Sequence, residues 1–352
     1  MSTPATPPAS PPASAASFAE ISAILAQIPA PDAAAAAAAQ QRQNSLTKPQ
    51  GALGRLEELA IWLASWQTPP APRLQRPRVL VFAGNHGMVS HGVSAFPASV
   101  TTQMVQNFVA GGAAVNQLCE VAGAELRVFE MALERPTADF TQGPAMSEEE
   151  CARAMAYGMM AVEEGLDLYC LGEMGIGNST AAAAVACALF GGSPAAWVGP
   201  GTGLDPAGIA RKIAVVEAGL AANPAARTDP FEALRCLGGH ELAALTGAVL
   251  AARIGRFPVV LDGYATTVAA AVLFKAAPQA LEHCLVSHCS AEPGHSRLLA
   301  TLGQKPLLDF GMRLGEASGA ALVIPLLKSA VACHNGMATF SQAKVSEKTP
   351  GP

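Results

Sequence analysis

Apolar positions along the chain change their period near residue 75. Upstream, Phe18, Ile21, Ile24, Leu25 and Ile28 recur at helical spacing and stop before Pro29, which cannot continue a helix. That spacing predicts a helix over 18–28. A second helix is predicted from Asp32 to Leu46 with Asp32 as its N-cap, and a third from Arg55 to Trp66. The three read as a small helical unit. Residues 1–16 are Pro, Ala, Ser and Thr with no core-forming pattern, and they predict a disordered tail.

Beyond the Pro-rich segment Thr68–Pro77, short apolar runs alternate with helical patterns. Strands are predicted at Arg78–Ala83, Glu125–Glu130, Asp167–Leu171, Ala196–Gly199, Pro258–Asp262 and His283–Ser287. This alternation implies an α/β fold, a parallel Rossmann-like sheet flanked by helices. The expected division is a large α/β domain over 76–325 and a smaller helical domain built from 17–75 plus 326–352. In such sheets ligands bind beyond the carboxyl ends of the strands. Polar, glycine-rich segments recur there: Gly84-Asn85-His86-Gly87, Gly172 to Thr180, Gly199 to Asp205, Asp262-Gly263-Tyr264 and Ser287 to His295.

Composition narrows the classes. Of the 352 residues, 51% are hydrophobic and 14% charged, with much of the apolar count alanine. Closely packed helices and a buried subunit interface suit that balance. A net charge of −5 without any basic run excludes the electrostatic footprint of a nucleic-acid binder. No apolar run is long enough to span a bilayer; Ala265 to Ala277 comes closest and contains Lys275. The N-terminus lacks the basic and apolar regions of a signal peptide, its first cation being Arg42. The eight cysteines are scattered without a paired framework, as expected of reduced thiols in the cytoplasm.

The loop from Gly172 to Thr180, Gly-Glu-Met-Gly-Ile-Gly-Asn-Ser-Thr, follows an apolar run and leads into an alanine-rich segment. Strand, glycine turn and polar helix start together make an anion site, because glycines admit close backbone approach and a helix N-terminus offers free donors. Glu173 is out of place beside a phosphate, unless it faces a ribose hydroxyl or a cationic ring. The plain alternative is a tight turn capped by Asn178 or Ser179. The loop is neither a Walker A sequence nor GxGxxG. A second stretch places Glu316 between Gly315 and Gly319, ahead of the apolar run Ala320 to Leu327. A flat ligand can approach a carboxylate set among such small residues. Its plain alternative is an acid capping a helix N-terminus. Glu173 and Glu316 are both candidates for acid–base work.

The chain resembles the nicotinate-nucleotide:dimethylbenzimidazole phosphoribosyltransferases of cobalamin nucleotide-loop synthesis. The resemblance rests on KPQGALGRLE (48–57), AGNHG…GVSAFP (83–97), GEMGIGNST (172–180), LGGHELAALTG (237–247), PVVLDGY (258–264), SHCSAEPGH (287–295) and RLGEASGAAL (313–322). It implies a pentosyltransferase that moves 5-phosphoribose from nicotinate mononucleotide to 5,6-dimethylbenzimidazole, giving α-ribazole 5′-phosphate and nicotinate. It also implies a homodimer. Glu316 is then the general base that takes the benzimidazole proton, kept ionised by a low pKa or by hydrogen bonds. Glu173 would serve the oxocarbenium-like ribose or its hydroxyls.

By the same resemblance Gly175, Gly177, Asn178, Ser179 and Thr180 hold the nucleotide. Gly201 and Gly203 form a neighbouring turn, Lys212 supplies a phosphate cation, and Gly263 and Ser290 line the pocket. Phe96, Met104 and Leu314 form the slot for the aromatic base. Taken alone, Lys212 reads as a solvated helix lysine, and Phe96 and Met104 read as core. No cofactor or metal is implied, because nicotinate leaves neutral at its ring nitrogen and no acidic pair stands at a strand end. Asn85 departs from the Asp found in many members, losing a charge but keeping a hydrogen-bonding amide.

Other readings stay open. His283, Cys284, His288, Cys289 and His295 invite a zinc site, although CxxC spacing is absent and strand alternation separates His283 from Cys284. A phosphoribosyltransferase for adenine, another benzimidazole or a phenol, and a non-catalytic nucleotide-binding protein, are the functional rivals.

Overall fold

The structure is a computed structural model that describes residues 17–67 and 72–346. The tail expected over 1–16 lies outside the described residues, as do 68–71 of the linker and 347–352. The chain begins with helices α1 (Phe18–Leu25), α2 (Ala33–Ser45) and α3 (Arg55–Trp66). It continues through β1 (Pro77–Ala83), α4 (Ser99–Ala110), α5 (Ala114–Ala122), β2 (Glu125–Glu130), α6 (Glu148–Met160), β3 (Leu168–Met174) and α7 (Asn178–Phe190). Then come α8 (Pro206–Ala222), α9 (Pro230–Leu237), α10 (His240–Ile254), β4 (Val259–Leu261), α11 (Tyr264–Ala276) and β5 (Cys284–Val286). The last helices are α12 (Pro293–Leu302), α13 (Ser318–Leu322), α14 (Ile324–Gly336) and α15 (Phe340–Ala343).

The strands form one parallel sheet in the order β2-β1-β3-β4-β5, as the alternating pattern implies. Both faces are covered. Val79 and Val81 of β1 turn to a cluster with α5, α13 and α14, whereas Leu80 and Phe82 turn to a cluster with α6, α7, α10 and α11. Ala181 to Val185 and Ala269 to Ala271 are fully buried in the second cluster, which is where the alanine-rich composition is used. Edge strand β2 carries charge: Arg78 pairs with Glu125 at 2.7 Å and with Glu163 at 2.7 Å, which discourages a further strand from adding there.

Helices α2 and α3 pack beside α14 as a smaller helical layer, fastened where Arg42 Nε donates to His334 O at 2.6 Å. Asp32 caps α2 as expected, its carboxylate accepting from Ala35 N at 2.9 Å. Helix α1 ends at Leu25, short of the expected Ile28, and its Ile21 and Leu25 join the core that contains α6.

One expected strand is absent. Around Ala196–Gly199 the chain forms a 3₁₀ turn, Pro194–Ala196. The N–H groups of Trp197 and Val198 bond back to Pro194 O at 2.9 and 3.0 Å, so they are unavailable to a sheet. The apolar run is there because Trp197 fills the core, with its Nε1 donating to Gly191 O at 2.8 Å. In the other direction, β3 runs on through Gly172, Glu173 and Met174, with Glu173 opposite Phe82.

Gly172 lets the strand touch the loop that carries Glu316. A Cβ added there would overlap Ala317 N and Cα, both backbone atoms. Gly172→Ala is therefore expected to lower stability by about 1–3 kcal/mol through overpacking and to depress activity by displacing residues 316–317. Thermal melting and turnover measured together check this, and a variant normal in both would show that the loop has slack.

Candidate active site

The carboxyl ends of β3, β4 and β5 open onto a cavity of about 300 Å³. Its wall gathers segments far apart in sequence. Phe96, Val100 and Met104 come from α4 and the loop before it; Glu173, Met174, Gly175, Asn178 and Ser179 come from β3 and the start of α7. Gly201, Thr202, Gly263, His288, Ser290 and Glu292 contribute from the following loops, and Arg313 to Glu316 close the ring.

Most of the expected site residues therefore meet: Glu173, Gly175, Asn178, Ser179, Gly201, Gly263, Ser290, Phe96, Met104, Leu314 and Glu316 all line the cavity. Gly177, Thr180, Gly203 and Lys212 are not on its wall. Gly177 is the residue that turns the strand into α7, with φ +94°, and a Cβ on it would lie 2.6 Å from Val89 Cγ2. Its backbone freedom serves the turn and its packing. Thr180 is fully buried. Gly203 (φ +118°) belongs to the turn before α8.

Lys212 acts one step back. It is 1% exposed, which removes the solvated-lysine alternative. Its Nζ donates to Ser179 Oγ at 2.9 Å and to Gly199 O at 3.2 Å. Burial pushes its pKa down to about 8, against the opposing pull of Glu292. Glu292 Oε1 in turn accepts from Gly201 N at 2.7 Å, and Arg313 Nη1 donates to Gly201 O at 2.7 Å. Ser179 and Gly201 of the wall are thus backed by cationic side chains.

Apolar side chains share the wall. Phe96 is 49% exposed and Leu314 56% exposed, so neither is a core residue. Met104 packs partly against the core and partly on the cavity.

The acids Glu173 and Glu316 line the same cavity. Glu316 is 5% exposed and lies in a left-handed turn, φ +62°, followed by Ala317 at φ +59°. Such residues are strained by about 1–3 kcal/mol each and need surrounding support. Glu173 O supplies part of it, accepting from Glu316 N at 3.0 Å. Asp262 supplies the rest: its Oδ1 accepts from Gly319 N at 2.7 Å and Ala320 N at 3.0 Å. The acid that caps α13 is therefore Asp262, and Glu316 is left without that duty. The carboxyl of Glu316 has no hydrogen-bond partner among the described residues.

Burial pushes Glu316 up to about 7, opposite to the low value expected of an ionised base. Burial also raises Glu173 to about 8, helped by the charge of Asp262 and opposed by the Asn178 amide, which donates to Glu173 Oε2. Asp262 itself is raised to about 7 by burial, against the backbone N–H groups it accepts from. Near neutral pH these three carboxyls are thus partly protonated.

Sequence reasoning missed Val100, Thr202, His288, Glu292 and Arg313. The last three lie inside motifs already quoted, so their presence was visible and their direction was not. Asn85 is buried off the cavity, with Nδ2 donating to Leu133 O at 2.9 Å, a bond a carboxylate cannot make. Among the described residues no group of three His, Cys, Asp or Glu could hold a metal ion. His283 is taken up by Val249 O at 3.0 Å, and His295 by Ser290 N at 2.8 Å and Thr267 Oγ1 at 3.1 Å. No helix among the described residues is long and apolar enough to cross a membrane.

The raised carboxyls bind more protons folded than unfolded, so their contribution to stability is complete at low pH and is lost as pH rises through about 7 to 8. The buried histidines, pushed down, act below their ordinary range, and Lys212 opposes the carboxyls above about 8. Between roughly pH 6.5 and pH 8 the melting temperature of the ligand-free protein is expected to fall, and Glu173→Gln to flatten the slope. A slope identical in that variant would remove Glu173 from the cluster.

The chain is similar to known proteins over nearly its whole length. Residues 28–345 match the family described as phosphoribosyltransferase. Proteins named nicotinate-nucleotide–dimethylbenzimidazole phosphoribosyltransferase are similar along nearly their whole length. That of Novosphingobium aromaticivorans is 58% identical over 332 residues, covering 94% of this chain and 98% of its own. That of Sinorhizobium medicae is 54% identical over 331 residues, with the same 94% and 98% coverage. A crystal structure of the Thermus thermophilus protein of that name superposes with a TM-score of 0.83 at 41% identity, covering 90% of this chain and 100% of that one. At such identity over such a span, the chain belongs to the nicotinate-nucleotide–dimethylbenzimidazole phosphoribosyltransferase family.

Proposed function

We propose that the protein transfers 5-phosphoribose from nicotinate mononucleotide to 5,6-dimethylbenzimidazole, releasing nicotinate and α-ribazole 5′-phosphate, with Glu316 as the general base. The observation that carries this reading is the meeting of Glu316 and Glu173 in one cavity whose wall also holds Phe96, Met104 and Leu314, with buried Lys212 bonded to its Ser179. The phosphate goes to Ser179 and Gly201, where Lys212 and Arg313 supply positive charge. The flat base goes between Phe96, Met104 and Leu314.

One benzimidazole nitrogen attacks the anomeric carbon while the bond to nicotinate breaks. The electron pair of that bond stays on the nicotinate nitrogen and cancels the pyridinium charge. The proton on the other benzimidazole nitrogen passes to Glu316. Attack opposite the leaving group inverts the anomeric carbon, which matches an α product from a β nucleotide.

The raised carboxyls fit this sequence of events. A pyridinium arriving beside Glu173 favours its ionised form, because opposite charge lowers a carboxyl pKa. The donor thus converts a protonated pocket into one that stabilises developing positive charge on the ribose. Glu316, which titrates near 7, sits where a base is both ionised and strong enough to accept a proton at neutral pH.

The resemblance also implies pairing of two copies, in keeping with the exposure of Phe96, Leu314 and, nearby in sequence, Phe310 at 69%. Light scattering should give twice the chain mass of 35.8 kDa, and a monomer at assay concentration would reject the pairing. The buried thiols, such as Cys151 and Cys170, all remain free, in keeping with a reducing cytoplasmic setting.

Glu316→Gln keeps the side chain's shape but accepts no proton, and is expected to lower turnover by about 10²–10⁴-fold with little change in donor binding. In the unmodified protein kcat/KM should fall as pH drops through about 7, where Glu316 becomes protonated. Turnover near normal in Glu316→Gln would pass the role to Glu173. Turnover of the protein with adenine or a phenol in preference to dimethylbenzimidazole would move the reading to another base.

A further inference from the structure

His288 lines the cavity but belongs to no role given so far. It is 1% exposed, and the hydrogen bonds around it fix where its proton sits. Ser287 Oγ donates its single proton to Asp262 O at 2.8 Å. The same oxygen lies 2.9 Å from His288 Nδ1, so it must accept there and Nδ1 must carry the hydrogen. Asp262 Oδ1, 3.9 Å from Nδ1, favours the same tautomer. A neutral ring with its hydrogen on Nδ1 leaves Nε2 as a bare lone pair.

That lone pair has no hydrogen-bond partner among the described residues. It faces the floor of the cavity: a Cβ placed on Gly263 would lie 3.4 Å from His288 Cε1, 3.5 Å from Nε2 and 3.9 Å from Ser290 Cβ. The charged groups facing the ring do not convert it into a cation. Burial lowers its pKa, with only a partial counter-pull from Asp309, and His295 stands edge-on at 6.4 Å between centroids. The site therefore offers a buried acceptor that cannot donate.

When a nucleotide fills the cavity and displaces water, the ligand must supply the hydrogen. In a nicotinate nucleotide, the carboxylate and phosphate oxygens accept, and the only donors are the two ribose hydroxyls. The base acceptor has a ring N–H, but Glu316 takes that proton, and the base slot is built by other residues. We propose that His288 binds the ribose of the donor, its Nε2 accepting a hydrogen bond from the 2′- or 3′-hydroxyl. This rests on the donor assignment made above. His288 also discriminates: a deoxyribose donor leaves the lone pair buried and unpaired, a penalty larger than the bond itself.

Calorimetric binding of nicotinate mononucleotide and of its 2′-deoxy and 3′-deoxy forms tests the contact, because binding is insensitive to the altered reactivity of a deoxy sugar. The unmodified protein should bind one of the two deoxy forms roughly five- to tenfold more weakly. His288→Phe should bind the ribonucleotide more weakly by a similar factor and gain no further loss with that deoxy form. His288→Gln, whose amide oxygen can stand in for the acceptor, should recover part of the affinity. Losses that simply multiply in His288→Phe would overturn the proposal.

If neither variant folds, as judged by melting, nitrogen-15 spectra of the histidine rings in the unmodified protein decide. Donor binding should move the Nε2 resonance of His288 upfield while Nδ1 stays protonated. An unmoved resonance, or protonation of both nitrogens, would overturn the contact. Failure to bind nicotinate mononucleotide at all would instead reject the donor assignment.

Discussion

Everything in the site hangs on the turn at Glu316 and Ala317, two consecutive left-handed residues without glycine's freedom. That conformation survives because it is held on both sides. From β3, Glu173 O takes the Glu316 N–H, and the bare face of Gly172 lets the backbone of Ala317 come against the strand. Just past the end of β4, Asp262 binds the N–H groups at the start of α13. The sheet does not merely display the loop; it sets the backbone angles that aim one carboxyl into the cavity while its neighbour's carbonyl secures it. Strain at a functional residue is thus offset by contacts from two adjacent strands.

The same arrangement couples the acids electrically. Asp262 must stay close to the α13 amides to hold the turn, and that puts its charge near Glu173 and Glu316. Glu241, buried below and paired with His86 at 2.8 Å, adds further negative potential at Glu173. Positioning and pKa are consequently not separate properties here. An uncharged replacement for Asp262 would alter both.

Much of this was legible in the chain. The helix starts, Asp32 as a cap, and the parallel sheet followed from period and punctuation, because those signals are local. Glu173 and Glu316 stood out as carboxylates among glycines, and both reach the cavity. Local signals misled where burial had another cause, as at Ala196–Gly199, whose apolar residues surround Trp197 instead of pairing. They were silent where a role depends on partners distant in sequence. Nothing near Lys212 reveals that its amine reaches Ser179, and nothing near His288 reveals that Ser287 and Asp262 fix its tautomer. The capping acid of α13 lies more than fifty residues upstream of the helix it serves.

The burial of Lys212 behind Ser179, with Glu173 and Glu316 on the wall of the same cavity, has a consequence for turnover. On the proposed reading, the donor is a dipolar guest, with a phosphate anion for the lysine and a pyridinium cation for the carboxyls, so it neutralises both at once. Neither product does. Nicotinate leaves without a positive ring, and the ribazole phosphate keeps its anion but carries an uncharged base. As the bond breaks the carboxyls lose the ring cation while Glu316 gains the benzimidazole proton, and nicotinate, which keeps its carboxylate, is left as a net anion facing ionised Glu173. Departure of nicotinate is thus favoured by the charge change in the chemistry itself.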